Sequence, residues 1–145
     1  MRLTLHTDYA LRLLMMLAAT PGQRITVPEA AERNQISRNH LMKVAQALGK
    51  AGFIKSIRGK GGGLELSRPA GDIGLGAVVR AIEPDFSLAE CHPPRTSTCC
   101  LLPVCGLNGI LVEANQAFKA VLDKYTLDML VLDPAKARDI IRVPA

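Results

Sequence analysis

The chain has 145 residues, 48% apolar and 3% aromatic with no Trp. That length excludes a large multidomain assembly, and a core built from Leu, Ile, Val, Ala and Met suits helices better than a sandwich. The net charge of +5 is uneven, with +7 on residues 1–68 and −2 on residues 69–145. Such asymmetry points to a polyanionic partner for the front half alone, a solvated basic face being the other reading of charge by itself.

The first predicted element is a helix in "HTDYALRLLMMLAAT", where Leu11, Leu14, Met15 and Ala18 recur at helical spacing. Asp8 and Arg12 interrupt what would otherwise pass for a leader, and the longest uncharged run there is Leu13 to Gln23. The segment therefore reads as the first core helix of a cytosolic protein. No stretch reaches the ~18 uncharged apolar residues that a membrane span needs.

"TPGQR" breaks the chain, and two short helices with a tight joint follow. Thr26 is placed to cap the first, with Glu29 three residues on to complete a capping box. Ala30 and Ala31 allow close helix approach, Asn34 suits a left-handed helix end, Ile36 plugs the joint and Ser37 caps the second helix. Leu41, Val44, Ala45 and Leu48 form its inward stripe, leaving Arg38, Asn39, His40 and Lys43 exposed at its N-terminal end. This is the pattern of a DNA-reading helix–turn–helix. Alone, it could equally be an ordinary helical hairpin.

The next segment decides between them. "FIKSIRGKGGGLELSRP" predicts a β-hairpin, with Phe53, Ile54 and Ile57 on one strand and Leu64 and Leu66 on its return. Its tip interleaves Arg58 and Lys60 with four glycines, more than a turn is expected to need, which suits a thin basic wing entering a DNA groove. The glycines open no helix after a strand, so nucleotide binding is rejected. The predicted DNA-facing set is Thr26, Ser37, Arg38, Asn39, His40, Lys43, Arg58, Lys60 and Gly61.

"DIGLGAVVRAIEP" predicts a short helix ended by Pro84, and an irregular segment then runs to Gly106. Beyond it Leu107, Ile110, Leu111, Ala114, Ala117, Phe118, Val121 and Leu122 mark a long helix, either packed on its own core or forming a dimer seam. The seam is favoured because operators read by helix–turn–helix proteins are palindromic. Thr126 is expected to cap a last short helix in "TLDMLV", and the tail from Asp133 carries no readable pattern. The expected fold is mainly α: a winged helix–turn–helix with a two-stranded β wing, plus a long dimerisation helix. Its expected parts are a DNA-binding domain over 1–83, a cysteine loop over 84–106, a dimerisation helix and short helix over 107–132, and a tail over 133–145.

All four cysteines fall between residues 91 and 105. In a reducing cytosol such clustering indicates metal or redox chemistry, not structural disulfides. There are no paired C-x2-C spacings as a zinc ribbon would want. Cys99 and Cys100 are adjacent, so one of them is expected to serve any given metal. Thiolates select zinc, copper(I) or iron–sulfur clusters, and wide spacing on an irregular loop favours the bulkier cluster. His6, His40 and His92 lie on three different elements, and no pocket-forming acid–base set is visible. An enzyme or ferredoxin-like electron carrier is therefore not expected.

Over residues 1 to 132 the sequence resembles the winged-helix iron–sulfur repressors that include NsrR and IscR, through "HTDYALR", "ISRNHLMKV", "IRGKGGGLELSRP", "LGAVVRAIEP", "LAEC", "CCLLPVCGLNGILVEANQAF" and "YTLDML". The nitric-oxide-sensitive NsrR branch fits best. The resemblance implies that Cys91, Cys99 and Cys105 hold one cluster per subunit, 2Fe–2S or 4Fe–4S. Cys100 falls where relatives commonly carry Pro, and is surplus. The IscR branch has a His three residues after the last cysteine, where this chain has Asn108. The fourth ligand implied is Asp8 of the other subunit, with His6 and His92 competing for that role. The implied function is a homodimeric cytoplasmic repressor of a palindromic double-stranded operator, released when nitric oxide attacks the cluster. A thiol-redox or zinc-stabilised regulator without a cluster is the alternative.

Overall fold

A computed structural model describes residues 2–92 and 97–141. Helix α1 (Leu5–Ala19) starts at Thr4, whose hydroxyl accepts from the Thr7 amide at 3.3 Å. The expected stripe is only partly the buried one: Leu14 is fully buried, whereas Leu11, Met15 and Ala18 are half-buried. Ala10, Leu13 and Leu17 complete the inner surface. The stripe is broader than a single face because α1 is central, packed by other elements on several sides.

Helix α2 (Val27–Asn34) carries the predicted capping box, with both reciprocal bonds between Thr26 and Glu29 made. Asn34 is the last helical residue, and the left-handed position falls one later, on Gln35 at φ 55°. Ile36 is buried in the joint, and Ser37 Oγ accepts from the His40 amide at the start of α3 (Arg38–Lys50). Leu41, Val44 and Leu48 have no exposed surface, while Ala45 is half-buried.

Strands β1 (Ile54–Ile57) and β2 (Gly63–Leu66) pair antiparallel, with Ile54 opposite Leu66 and Ile57 opposite Gly63. A 3-10 turn at Ala70–Asp72 leads into α4 (Leu75–Ile82), which stops before Glu83 and Pro84 as predicted. A second 3-10 turn, Leu102–Val104, precedes α5 (Gly106–Leu122). After α5 the chain returns to the front of the molecule: the Leu127 amide donates to the Ile73 carbonyl at 2.9 Å, and Leu127 is buried in the same core as α1 and α3.

Two expectations are corrected at this end. "TLDMLV" forms only a 3-10 turn, Leu127–Leu130, and the Thr126 hydroxyl bonds to the Asp128 side chain without capping the backbone. The tail from Asp133 is helical, α6 (Pro134–Ile141), and packs on α1. The Asp133 carboxylate accepts from the Lys136 amide at 2.9 Å, and Pro134 occupies the first turn, where its missing N–H costs nothing. No helix among the described residues is long and apolar enough to cross a membrane.

Candidate DNA interface and cysteine segment

The start of α3 and the β1–β2 tip carry the exposed cations of the predicted DNA-facing set. Arg38, Asn39 and Lys43 project from α3 and are exposed. His40 is different: half-buried, its ring meets Tyr9 edge-on at 4.9 Å and stacks near His6 at 6.2 Å. It therefore contacts α1 and is less available to a groove. Thr26 and Ser37 have local work. The Thr26 hydroxyl donates to Glu29 Oε2 at 2.7 Å while accepting from the Glu29 amide, and the bonds to that carboxylate from the Thr26 hydroxyl and then the Thr26 amide hold it below its ordinary value.

At the wing tip Arg58, Lys60 and Gly61 are exposed. The glycines have a backbone explanation. Gly59 and Gly61 take φ of 93° and 75°, and a Cβ on Gly62 would overlap the Ile57 carbonyl oxygen. The turn thus requires its glycines, and the case for the wing rests on the two cations.

Arg24, overlooked in the sequence, braces this hairpin from the break after α1. Its Nε donates to Glu65 Oε2 at 2.9 Å and its Nη1 to the Gly61 carbonyl at 3.1 Å. Lys55 joins Glu65 at 3.0 Å, and the bonds from Arg24 and then Lys55 lower the Glu65 carboxyl below its usual range. Ile25 bridges to Leu64 through two backbone bonds, which places Arg24 beside β2. No local motif marks this role, because it depends on a pairing across about forty residues.

The cysteines lie between α4 and α5. Cys91 is half-buried, its thiol directed at Asn108 Oδ1 at 3.7 Å. Cys105 is half-buried at the N-cap of α5, and Cys99 and Cys100 are exposed. All four are free thiols. Asn115 Nδ2 donates to the Phe86 carbonyl at 2.5 Å and Lys119 lies 4.5 Å from the Phe86 ring centre, so α5 anchors the segment's first half. His92 is only 4% exposed, and its Nε2 has no hydrogen-bond partner among the described residues. Pro93 and Pro94 fall outside the described residues.

Among the described residues no three His, Cys, Asp or Glu side chains are gathered at metal-binding distances. Cys91 and Cys105 are held at the base of α5, while Cys99 lies out on the exposed turn. Asp8 sits in the first turn of α1 and pairs with Arg12 at 2.7 Å; His6 is nearby on the same turn. The donor chemistry nonetheless fits a thiophilic group. Four free thiols share one segment, and one of them, Cys105, stands at the N-cap of a 17-residue helix.

The long helix carries two apolar stripes. Leu111, Phe118 and Leu122, with Asn108 and Asn115, are half-buried against the chain's own segment and α4. Leu107, Ile110, Ala114, Ala117 and Val121 repeat at alternating spacings of three and four and are all exposed, Leu107 by 60% and Ile110 by 64%. Ala114 and Ala117 leave the middle of this exposed stripe open to close approach.

A helix–turn–helix with cations at the head of its second helix, followed directly by a basic-tipped hairpin, defines a winged-helix DNA-binding regulator. The chain belongs to the Rrf2 family, described as "Iron-dependent Transcriptional regulator", which it matches over residues 3–133. It is 49% identical over 132 residues to the HTH-type transcriptional regulator NsrR of Bacillus subtilis (strain 168), covering 90% of each chain. It is 42% identical over 143 residues to NsrR of Shouchella clausii (strain KSM-K16), covering 98% of this chain and 96% of that one. Its fold is shared with oxidized Staphylococcus aureus CymR (TM-score 0.72, 29% identity, 92% of this chain and 98% of that one) and with T. potens IscR (TM-score 0.69, 24% identity, 100% and 94%). The protein is a DNA-binding transcriptional regulator of this family, not an enzyme.

Proposed function

We propose that the protein is a homodimeric cytoplasmic repressor that binds a palindromic operator and senses nitric oxide through an iron–sulfur cluster, one per subunit. One observation carries the reading: every thiol lies on the single segment that joins α4 of the DNA-binding half to the N-terminus of α5. Cys91, Cys99 and Cys105 are the proposed ligands. Asp8 of the other subunit is the proposed fourth, and its present partner Arg12 is a half-exposed ion pair that is cheap to exchange. When held there, the cluster supplies iron that nitric oxide attacks.

The chain's own residues would supply the response. Arg38, Asn39 and Lys43 face base edges and phosphates, and Arg58 and Lys60 enter the neighbouring groove. Thr26, Ser37 and Gly61 hold these elements in shape, and His40 links α3 to α1. The outward stripe of α5 pairs the two subunits and so sets the spacing between the two recognition helices. A shift of the cysteine segment is thereby felt both at the pairing helix and at α1.

The two exposed, adjacent thiols Cys99 and Cys100 favour a second reading, a thiol-redox or zinc-stabilised repressor using the same segment. Native mass spectrometry of protein purified without oxygen, taken with its visible spectrum, separates the two. A dimer with one 2Fe–2S or 4Fe–4S mass per subunit is expected. A dimer carrying zinc alone, or no metal and a disulfide at Cys99 or Cys100, would replace the cluster reading with the second one.

A further inference from the structure

Glu83 stands between two helix ends. It is the C-cap of α4, at the negative end of the helix dipole, and it is only 8% exposed. No cation pairs with it among the described residues; its partners are neutral. Glu83 Oε2 accepts from the Thr4 amide at 3.0 Å and from the Thr4 hydroxyl at 3.1 Å. Thr4 is the N-cap of α1, and its Oγ in turn accepts from the Thr7 amide, with the buried Thr7 hydroxyl 3.1 Å away. The carboxylate thus also meets the N-terminus of α1, whose positive dipole end favours it, so these charge-assisted bonds tie the end of α4 to the start of α1.

Position along the chain gives this contact a use. Pro84 follows immediately and keeps Glu83 extended, at ψ 119°, so the cysteine segment begins one residue beyond the contact. On the other side, the first turn of α1 contains His6, Asp8 and Tyr9, and the His6 and Tyr9 rings contact His40 on α3. A displacement at residue 84 therefore reaches the recognition helix through one carboxylate and one helix turn.

We infer that Glu83 and Thr4 form a latch that couples the state of the cysteine segment to the register of α1, and through His40 to the recognition helix. The inference rests on the proposed cluster-sensing function. Glu83 acts as a positioning residue: it touches neither DNA nor the thiols, and it makes operator affinity depend on what the segment holds.

The test is the ratio of operator dissociation constants between cluster-free and cluster-loaded protein, measured anaerobically by fluorescence anisotropy. Wild type is compared with Glu83→Ala, Glu83→Gln, Thr4→Val and Thr4→Ser, cluster content being checked by absorbance. Glu83→Ala and Thr4→Val are expected to cut the ratio by on the order of tenfold. Glu83→Gln keeps a carbonyl acceptor and Thr4→Ser keeps both donors, so these two should retain most of the ratio. The double variant Glu83→Ala/Thr4→Val should match either single one. If Glu83→Ala does not fold, Thr4→Val and Glu83→Gln carry the comparison.

A merely structural contact would weaken both forms by the same factor and leave the ratio intact, which would overturn the latch while sparing the sensor. A wild-type ratio of one would overturn both.

Discussion

The outward stripe of α5 allows a quantitative prediction for Ile110→Ala. Ile110 is 64% exposed in the single chain, so in the proposed dimer most of its apolar surface would leave water only against a second α5. The substitution deletes three carbons worth about 0.8 kcal/mol each when fully buried. Scaled by the exposed fraction, the loss is about 1.5 kcal/mol per subunit and about 3 kcal/mol per dimer. That weakens dimerisation by roughly two decades. Sedimentation equilibrium on cluster-free protein over a dilution series measures it, with helix content by circular dichroism as a check on folding. Leu111→Ala is the contrast: on the inward, half-buried stripe, it should lower chain stability more than it weakens pairing. An unchanged dimer constant for Ile110→Ala would show that the exposed stripe is not the seam.

Removing Arg58 or Lys60 should weaken operator and unrelated DNA alike and lower the slope of log affinity against log salt by about one per side chain, read from a salt titration of binding. Replacing Cys91, Cys99 or Cys105 by Ala should each abolish the visible absorbance of reconstituted protein, whereas Cys100→Ala should retain it. Thr26→Ala removes the α2 cap and should cost about 1 kcal/mol in denaturant unfolding. Glu29 is held below its ordinary value of 4.5, chiefly by the Thr26 hydroxyl. The stability this gives is present above pH 4.5 and lost as pH falls through the lower folded value, a dependence that Thr26→Ala should flatten in acid unfolding curves.

Much of this architecture is legible in local sequence because its signals are local. The Thr26–Glu29 box, the Ser37 cap, the Pro84 stop and the alternating Leu64 and Leu66 each act within a few residues, and the structure realises each of them. What was missed depends on distant partners. Arg24 matters only because Ile25 pairs with Leu64, and Glu83 only because the N-cap of α1 lies beside it. The left-handed position fell on Gln35 and not on Asn34, a shift of one residue that the joint tolerates because Ile36 still reaches the Ala31 carbonyl. Helix α6 was legible in principle from Asp133 and Pro134, a cap followed by a first-turn proline, but its weak apolar pattern becomes meaningful only against α1. The cysteine segment is legible as chemistry and not as geometry, since nothing in the spacing of Cys91, Cys99 and Cys105 fixes how their side chains converge.

The most direct measurement is operator binding by anaerobically purified, cluster-loaded protein, followed by anisotropy while nitric oxide is added stepwise and the visible spectrum is recorded on the same sample. Affinity should fall by about two decades or more, equivalent to ~3 kcal/mol, in step with bleaching of the cluster bands. A cluster that bleaches while operator affinity stays constant would contradict the sensor, and leave a DNA-binding regulator whose cysteine segment serves another purpose.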